Sequence, residues 1–212
     1  MFFQKVIQNN WVIQNSRPEH ARQLEALQRK VFPKLSENEI LTEKHYLKHL
    51  EIFPEGQFVM LDGERVIGMS TTMRYHFSTQ PHTFLEVSGN LWLTHHEPAG
   101  EWLYGLDVGI DPDYRRQGLA REIYRARQET ARRLGLKGQI TVGMMNGYGT
   151  VSHLMTPEEY FEKLRDGDIT DPTVTVQQRL GFVIVNLMKN YLDDPTCGNC
   201  GVLMTLDAKH EI

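Results

Sequence analysis

The sequence predicts an α/β fold, a mixed sheet with helices packed on both faces. Three observations predict it. Short apolar runs alternate with amphipathic stretches at helical spacing. The elements follow the order strand, two helices, three strands, helix, strand, helices, two strands. The best-patterned helix opens from a strand through Arg115-Arg116-Gln117-Gly118-Leu119-Ala120, an Arg-x-x-Gly-x-Ala turn.

Each element has its own signal. Trp11-Val12-Ile13 forms the first strand. Ser16-Arg17-Pro18-Glu19 has the Ser-x-x-Glu form of a helix start, and Leu24, Leu27 and Val31 recur at helical spacing, so a helix runs to about Lys30 before Pro33 ends it. Ser36-Glu37-Asn38-Glu39 repeats the start signal for a second helix reaching about Leu50. Gln57 to Leu61 and Arg65 to Tyr75 are strands around the turn Asp62-Gly63-Glu64. Residues 76–100, rich in Pro, Gly and His, are irregular. A strand spans Leu103 to Ile110, and a helix runs from about Gln117 to Leu134. Leu119, Ile123, Ala126 and Leu134 form its apolar stripe, and Gly135 stops it. Gln139 to Gly143 is a short strand. Thr156-Pro157-Glu158-Glu159 starts a helix to about Arg165, with Pro at the first helical position. Asp171-Pro172 breaks the chain, Thr173 to Leu180 is a short helix ending at Gly181, and Phe182 to Met188 and Gly201 to Leu206 are closing strands.

Composition narrows the function classes. Of 212 residues, 40% are hydrophobic and 24% charged, as in an ordinary globular protein, read here as one domain over 1–212. A net charge of -4 without a basic cluster argues against a nucleic-acid surface. No apolar run approaches a membrane span, so no membrane partner is expected. Met1-Phe2-Phe3-Gln4-Lys5 lacks the pattern of a secretion signal, which makes the cytoplasm the default compartment. The pair Cys197 and Cys200 precedes a strand-like run and has no second pair to complete a four-ligand zinc site, so it reads as a turn with two thiols. No metal is expected from the nine histidines either.

The turn at 115–120 carries most of the functional information. Small residues at 118 and 120 let the backbone approach a ligand, and several N–H groups converge at the positive end of a helix. That is a pyrophosphate site built from main chain. Arg115 and Arg116 add forked donors suited to phosphate.

Ile110-Asp111-Pro112-Asp113-Tyr114-Arg115-Arg116-Gln117-Gly118-Leu119-Ala120 resembles the acyl-CoA signature of the GNAT N-acyltransferases, and Gly181-Phe182 follows where that family often places Gly-Phe. The resemblance implies a largely antiparallel central sheet, splayed open beside the signature so that the cofactor enters the gap. It implies acetyl-CoA, or another acyl-CoA, as co-substrate. Transfer would go to a small-molecule or protein amine by direct attack on the thioester. The strand before the signature would hold the pantetheine arm through Val108, Gly109 and Ile110, with backbone N–H groups near Val108 and Ile110 at the thioester. The turn Arg115, Arg116, Gln117, Gly118, Leu119 and Ala120 would hold the pyrophosphate, and Asn146 would lie at the end of the fifth strand.

Further stretches are similar to one subgroup, the acyltransferase modules that some bacterial proteins carry ahead of a nitrilase-like carbon–nitrogen hydrolase. They are Glu51 to Gln57, Leu103 to Asp107, Thr156 to Tyr160, Gln177 to Phe182 and Asn190 to Asp194. The chain ends at Ile212, so the hydrolase is expected to be absent. Two departures from the general family pattern stand out. Many members carry a Tyr four residues before the Gly of Gly-Phe, where it can protonate the leaving thiolate; here that position is Gln177, which can donate a hydrogen bond but not act as an acid. An insertion at about 147–173 intervenes after Asn146, read either as a substrate-shaping lid or as surface elaboration.

Acyl transfer needs the thioester held, its carbonyl polarised and the amine presented neutral. Positioning alone supplies up to about 7–11 kcal/mol. Asp107, a carboxylate within an apolar strand, is the leading candidate base, with substrate-charge binding or a structural ion pair as alternatives. His153 ranks first among the loop histidines because it lies in the insertion. Tyr148 and Tyr160 are alternative proton donors beside Gln177. Without an acid at 177, a CoA-binding sensor or scaffold without turnover is the competing expectation. A homodimer is common among proteins of this resemblance.

Overall fold

The computed structural model describes residues 3–212. Nine strands form one sheet: β1 Gln4–Val6, β2 Val12–Asn15, β3 Gln57–Asp62, β4 Arg65–Tyr75, β5 Trp102–Gly105, β6 Gly109–Ile110, β7 Gly138–Met144, β8 Val183–Met188 and β9 Gly201–Asp207. The order is β1-β2-β3-β4-β5-β7-β9-β8, with β6 pairing back onto β4. Every neighbouring pair is antiparallel except β5 with β7, where Leu103, Tyr104 and Gly105 run parallel to Gln139, Ile140 and Thr141. The mixed, largely antiparallel sheet is thus present.

Six helices accompany it: α1 Ala21–Val31, α2 Glu43–Ile52, α3 Phe84–Ser88, α4 Leu119–Arg133, α5 Pro157–Asp166 and α6 Val174–Arg179. The two faces are seen at α1 and α4, with a bulge beside Met60 and Leu61 shifting the alternation along β4. Val59, Val66 and Met69 join Ala21, Leu24 and Leu27 of α1 in one core. Phe58, Met60 and Ile67 join Leu119, Ile123 and Ala126 of α4 in the other. Each Val, Leu, Ile, Met or Phe among them, fully buried, contributes about 1.5–3 kcal/mol.

The structure departs from expectation in four places. The second helix begins at Glu43, after a separate 3-10 turn at Glu37–Glu39. Ile40 and Leu41 between them are drawn into the core, and extended Thr42 restarts the helix with its N–H on His45 Nδ1 at 3.1 Å. The stretch 76–100 contains α3, closed by a capping box in which Thr83 Oγ1 accepts the Glu86 N–H at 3.1 Å and Glu86 accepts the Thr83 N–H at 2.7 Å. The exposed edge strand β1 went unpredicted because it buries nothing. The expected strand from Leu103 to Ile110 is two short strands, with Leu106, Asp107 and Val108 outside the ladder.

Candidate functional site

The broken strand creates the site. After Gly105 the chain leaves β7, and β6 rejoins β4 opposite Gly68 and Met69. Asp107 stabilises the departure: its Oδ1 accepts the Thr71 N–H at 2.5 Å and its carbonyl accepts the Ser70 hydroxyl at 3.0 Å. The wedge between this segment and β7 opens into a cavity of about 790 Å³, walled by Leu106, Asp107, Val108 and Ile110 on one side and Thr141 to Met144 on the other. A regular strand would put Asp107 on the face opposite Val108; the break lets both line the cavity.

The cavity runs to the turn before α4. Asp111 anchors that turn, accepting from Lys30 Nζ at 2.6 Å, Arg65 Nη2 at 2.9 Å and the Asp113 N–H at 3.0 Å. Burial pushes its carboxyl up, but the bonds from Lys30, Asp113 and Arg65 outweigh burial and hold it below the usual range. Arg116 (φ 61) and Gly118 (φ 78) both adopt left-handed backbone, which turns successive N–H groups the same way. Among the described residues, no hydrogen bond engages the peptide N–H of Arg116, Gln117, Gly118, Leu119 or Ala120. Space beside Gly118 is open. An array of free N–H groups at the start of a fifteen-residue helix fits a pyrophosphate. Among the described residues, the Val108 N–H likewise has no hydrogen-bond partner.

Two buried polar side chains, Asp107 and Gln177, line the cavity, and a third, Arg127, lies behind Tyr124. Asp107 is 8% exposed, and its Oδ2 has no hydrogen-bond partner. Burial raises its pKa to about 6, against the Thr71 N–H and the positive charge of Arg127. Gln177 Nε2 donates to the Tyr124 hydroxyl at 2.8 Å while its Oε1 lacks a partner. Arg127 is 1% exposed, stands 5.3 Å from the Tyr124 ring centre, and none of its guanidinium nitrogens has a hydrogen-bond partner. Gly105 makes room for it, since a Cβ there would overlap the guanidinium.

The expected residues distribute unevenly. Asp107, Val108, Ile110, Arg115, Arg116, Ala120, Asn146 and Gln177 line the one cavity. Asn146 Nδ2 donates to Thr173 Oγ1 at 2.7 Å. Gly109, Gln117, Gly118 and Leu119 are not part of the cavity lining; Gly109 is buried in β6, Leu119 is buried, and Gln117 and Gly118 are exposed, with the Gln117 carbonyl held by Gln8 Nε2 at 2.6 Å. His153 is exposed and away from the cavity. Of the insertion, only Pro172 and Thr173 reach the wall. Tyr148 and Tyr160 do not, each being tied locally: Tyr148 donates to the Met155 carbonyl at 3.2 Å and Tyr160 to Asp171 Oδ2 at 3.0 Å. Sequence reasoning passed over Tyr124, which lines the cavity one turn beyond Ala120 on the helix that starts at the signature.

Cys197 and Cys200 are both buried and free. His45 and His49 do stand four apart on α2, a spacing at which metal pairs occur, but His49 Nε2 is 2.6 Å from the Leu91 carbonyl oxygen. Among the described residues, no three His, Cys, Asp or Glu side chains are grouped to hold a metal, and no helix is long and apolar enough to cross a membrane.

Comparison with known proteins agrees with this geometry. The model of the acetyltransferase (GNAT) family matches residues 21–147, from α1 through the signature to the end of β7. The chain is 33% identical over 187 residues to "Probable hydrolase YhcX" of Bacillus subtilis, a match covering 87% of this chain and 36% of that protein. It is 29% identical over 195 residues to "Uncharacterized N-acetyltransferase YkwB" of the same organism, covering 91% of this chain and 86% of that one. The solved structure of the GphF GNAT-like decarboxylase in complex with isobutyryl-CoA superposes with a TM-score of 0.78 at 20% identity, over 93% of this chain and 99% of that one, which shows the shared fold. Signature turn, splayed sheet and family match together place this chain in the GNAT acetyltransferase family.

Proposed function

We propose that the protein is an acyl-CoA-dependent N-acyltransferase that moves an acyl group, in the first instance acetyl, from the thioester to an amine by direct attack. One observation carries the reading: an unengaged row of backbone N–H groups at 116–120 meets, at Arg116 and Ala120, a cavity whose wall holds a carboxylate without a partner on one oxygen. Acyl-CoA would supply the activated thioester and the thiol leaving group. The turn Arg116 to Ala120 binds phosphate through main chain, with Arg115 and Arg116 on the cavity side. The Val108 N–H, fixed by the flanking strands, polarises the acyl carbonyl without reorganising. Asp107 takes a proton from the attacking nitrogen, a role suited to a carboxyl whose pKa burial has raised to about 6. Gln177 does not donate a proton; it orients Tyr124, whose hydroxyl accepts the Gln177 N–H and keeps its own hydrogen for the sulfur.

Thermal unfolding with acetyl-CoA, CoA, NAD or ATP, followed by thiol release with a panel of amines, tests the proposal. A ligand at a hundredfold excess over its dissociation constant stabilises by about 2.7 kcal/mol. Acetyl-CoA and CoA should shift the transition, and Gly118→Glu, which sets a carboxylate among the phosphate donors, should abolish the shift. Thiol release should require amine and fall on Tyr124→Phe with the acetyl-CoA shift retained. Firm binding without thiol release for any amine would favour the sensor reading that Gln177 first suggested. No shift with acetyl-CoA or CoA would refute both.

A further inference from the structure

A second hydrogen-bonded chain, separate from that of Tyr124 and Gln177, starts at the cavity wall. Tyr191, 2% exposed, forms part of the cavity wall. Its hydroxyl lies 3.3 Å from that of Tyr104, which is 1% exposed, and the Tyr104 hydroxyl lies 2.9 Å from His82 Nε2. His82 Nδ1 in turn sits 3.0 Å from the carbonyl oxygen of exposed Gln80. The polarity of this chain follows from its outer end. A carbonyl only accepts, so His82 Nδ1 carries the hydrogen and Nε2 of the neutral ring is the acceptor. Tyr104 therefore donates to His82, and Tyr191 donates to Tyr104. All hydrogens point outward, and the Tyr191 oxygen is left with lone pairs that no other described hydrogen bond engages.

We propose that Tyr191, Tyr104 and His82 form a proton exit that strips the arriving ammonium form of the acceptor amine. This rests on the N-acyltransferase reading above. The accounting requires such a route. An alkylamine enters as R–NH3⁺, and two N–H bonds break while one N–C bond forms and the C–S bond breaks. One proton ends on sulfur, by way of Asp107 and Tyr124. The other must reach water. In the relay it passes from nitrogen to the Tyr191 oxygen as the Tyr191 hydrogen moves to Tyr104 and the Tyr104 hydrogen moves to His82 Nε2. The imidazolium then releases its Nδ1 hydrogen to solvent beside Gln80; return of the ring to the Nδ1–H tautomer through water and rotation of the two hydroxyls restore the starting chain, and nothing is oxidised or reduced. The groups facing His82 are the Tyr104 and Tyr191 rings, the Gln80 carbonyl and the Glu86 carboxylate. Burial lowers its pKa against the upward pull of Gln80 and Glu86, which keeps the ring neutral and able to accept at pH 7. The hydroxyls of Tyr104 and Tyr191, whose pKa values burial raises, relay by exchange rather than by ionising. His82 and Tyr104 are positioning residues in this scheme, since neither lines the cavity.

The test compares two probe amines with acetyl-CoA: butylamine, an ammonium at pH 7, and hydroxylamine, already neutral there. His82→Gln, Tyr104→Phe and Tyr191→Phe should each lower the butylamine-to-hydroxylamine rate ratio at pH 7 by about tenfold or more. The deficit should close as pH rises and free butylamine accumulates. A second, substrate-free readout is the ¹⁵N spectrum of the His82 ring. It should show the neutral Nδ1–H tautomer, with the Nε2 resonance moving in Tyr104→Phe. A ratio unchanged in all three variants, with wild type active on both amines, overturns the relay and leaves the transferase reading intact. So does an Nε2–H or charged His82 at pH 7. A wild-type protein that acetylates neither probe overturns transfer to simple amines and the relay with it.

Discussion

Replacing Asp107 with Asn isolates what it costs to keep an acid in the cavity wall. Asn preserves the shape and the oxygen that accepts the Thr71 N–H, loses the charge, and sets an amide NH2 at the unpartnered Oδ2 position, which offsets part of the gain. Burial lifts the Asp107 pKa from 3.8 to about 6 even though the Thr71 N–H and the Arg127 charge pull it down. That distance corresponds to about 3 kcal/mol held against the ionised form. The folded state binds this proton more tightly than the unfolded state does. Below pH 3.8 the group is protonated in both and the penalty is absent; it grows between pH 3.8 and 6 and is complete above 6. Asp107→Asn should therefore stabilise the protein by up to about 3 kcal/mol at pH 8 and hardly at all near pH 3.5. For a chain of this length about 1 kcal/mol moves Tm by roughly 2–4 °C, so calorimetry at pH 8 should read a rise of roughly 6–12 °C. Acyl transfer should fall about 10²–10⁴-fold in the same variant. A gain of equal size at both pH values, or a lower Tm at pH 8, would refute the claim that the wall holds this carboxyl against its charge.

Three other outcomes follow from particular contacts. His49 is fully buried, and burial lowers its pKa from 6.5 to about 4, so stability should be complete above pH 6.5 and decline by up to about 3 kcal/mol as pH falls to 4; urea midpoints of the wild type should show that decline and those of His49→Gln should not. Gly105→Ala would force the Arg127 guanidinium from its place against the strand, and should cost about 1–3 kcal/mol in urea unfolding without removing any charge; an unchanged midpoint would mean that Arg127 has room to move. Cys197 is fully buried with its thiol pushed up to about 12, and Cys200 is 3% exposed, so a disulfide reagent at pH 8 should find no fast thiol in the native protein and two after unfolding.

The legible part of this molecule was what local chemistry dictates. The Arg-x-x-Gly-x-Ala turn named its own helix, and apolar spacing placed α1, α4 and the central strands. Asp107 could be singled out because a carboxylate in an apolar run is expensive whatever its surroundings. Its face could not be read, because period-2 alternation assumes an unbroken ladder and Leu106 to Val108 leave it. Tyr124 was hidden for the opposite reason: at helical spacing from Ala120 it looks like one more stripe residue, and only the fold shows its hydroxyl meeting Gln177 from 53 residues further along the chain. Arg127 was invisible for the same reason, since an arginine on a helix rich in arginine reads as solvated. His82 lay in a stretch read as irregular, and its contacts with Tyr104 and Tyr191 depend on α3 docking through the Phe84 N–H on the Tyr191 carbonyl at 2.5 Å.

The distribution of unmet hydrogen bonds completes the argument. Among the described residues, the buried side-chain atoms without partners include Asp107 Oδ2, Gln177 Oε1 and the three guanidinium nitrogens of Arg127. Each such group costs about 1–3 kcal/mol when left unmade, and more when charged. Apolar residues of similar volume would avoid that cost, as the buried Leu103, Ile140 and Leu203 of the same sheet do. Tyr124 and Tyr191, with their hydroxyls in two separate hydrogen-bonded chains, line the same cavity as Asp107 and Gln177. Two exits suit a reaction in which one nitrogen gives up two protons to different destinations. A cavity that only held CoA would need the open turn at 116–120 and none of the rest. The penalty at Asp107, whose carboxyl lines the cavity, is therefore the strongest physical reason, within this one chain, to expect turnover rather than binding alone.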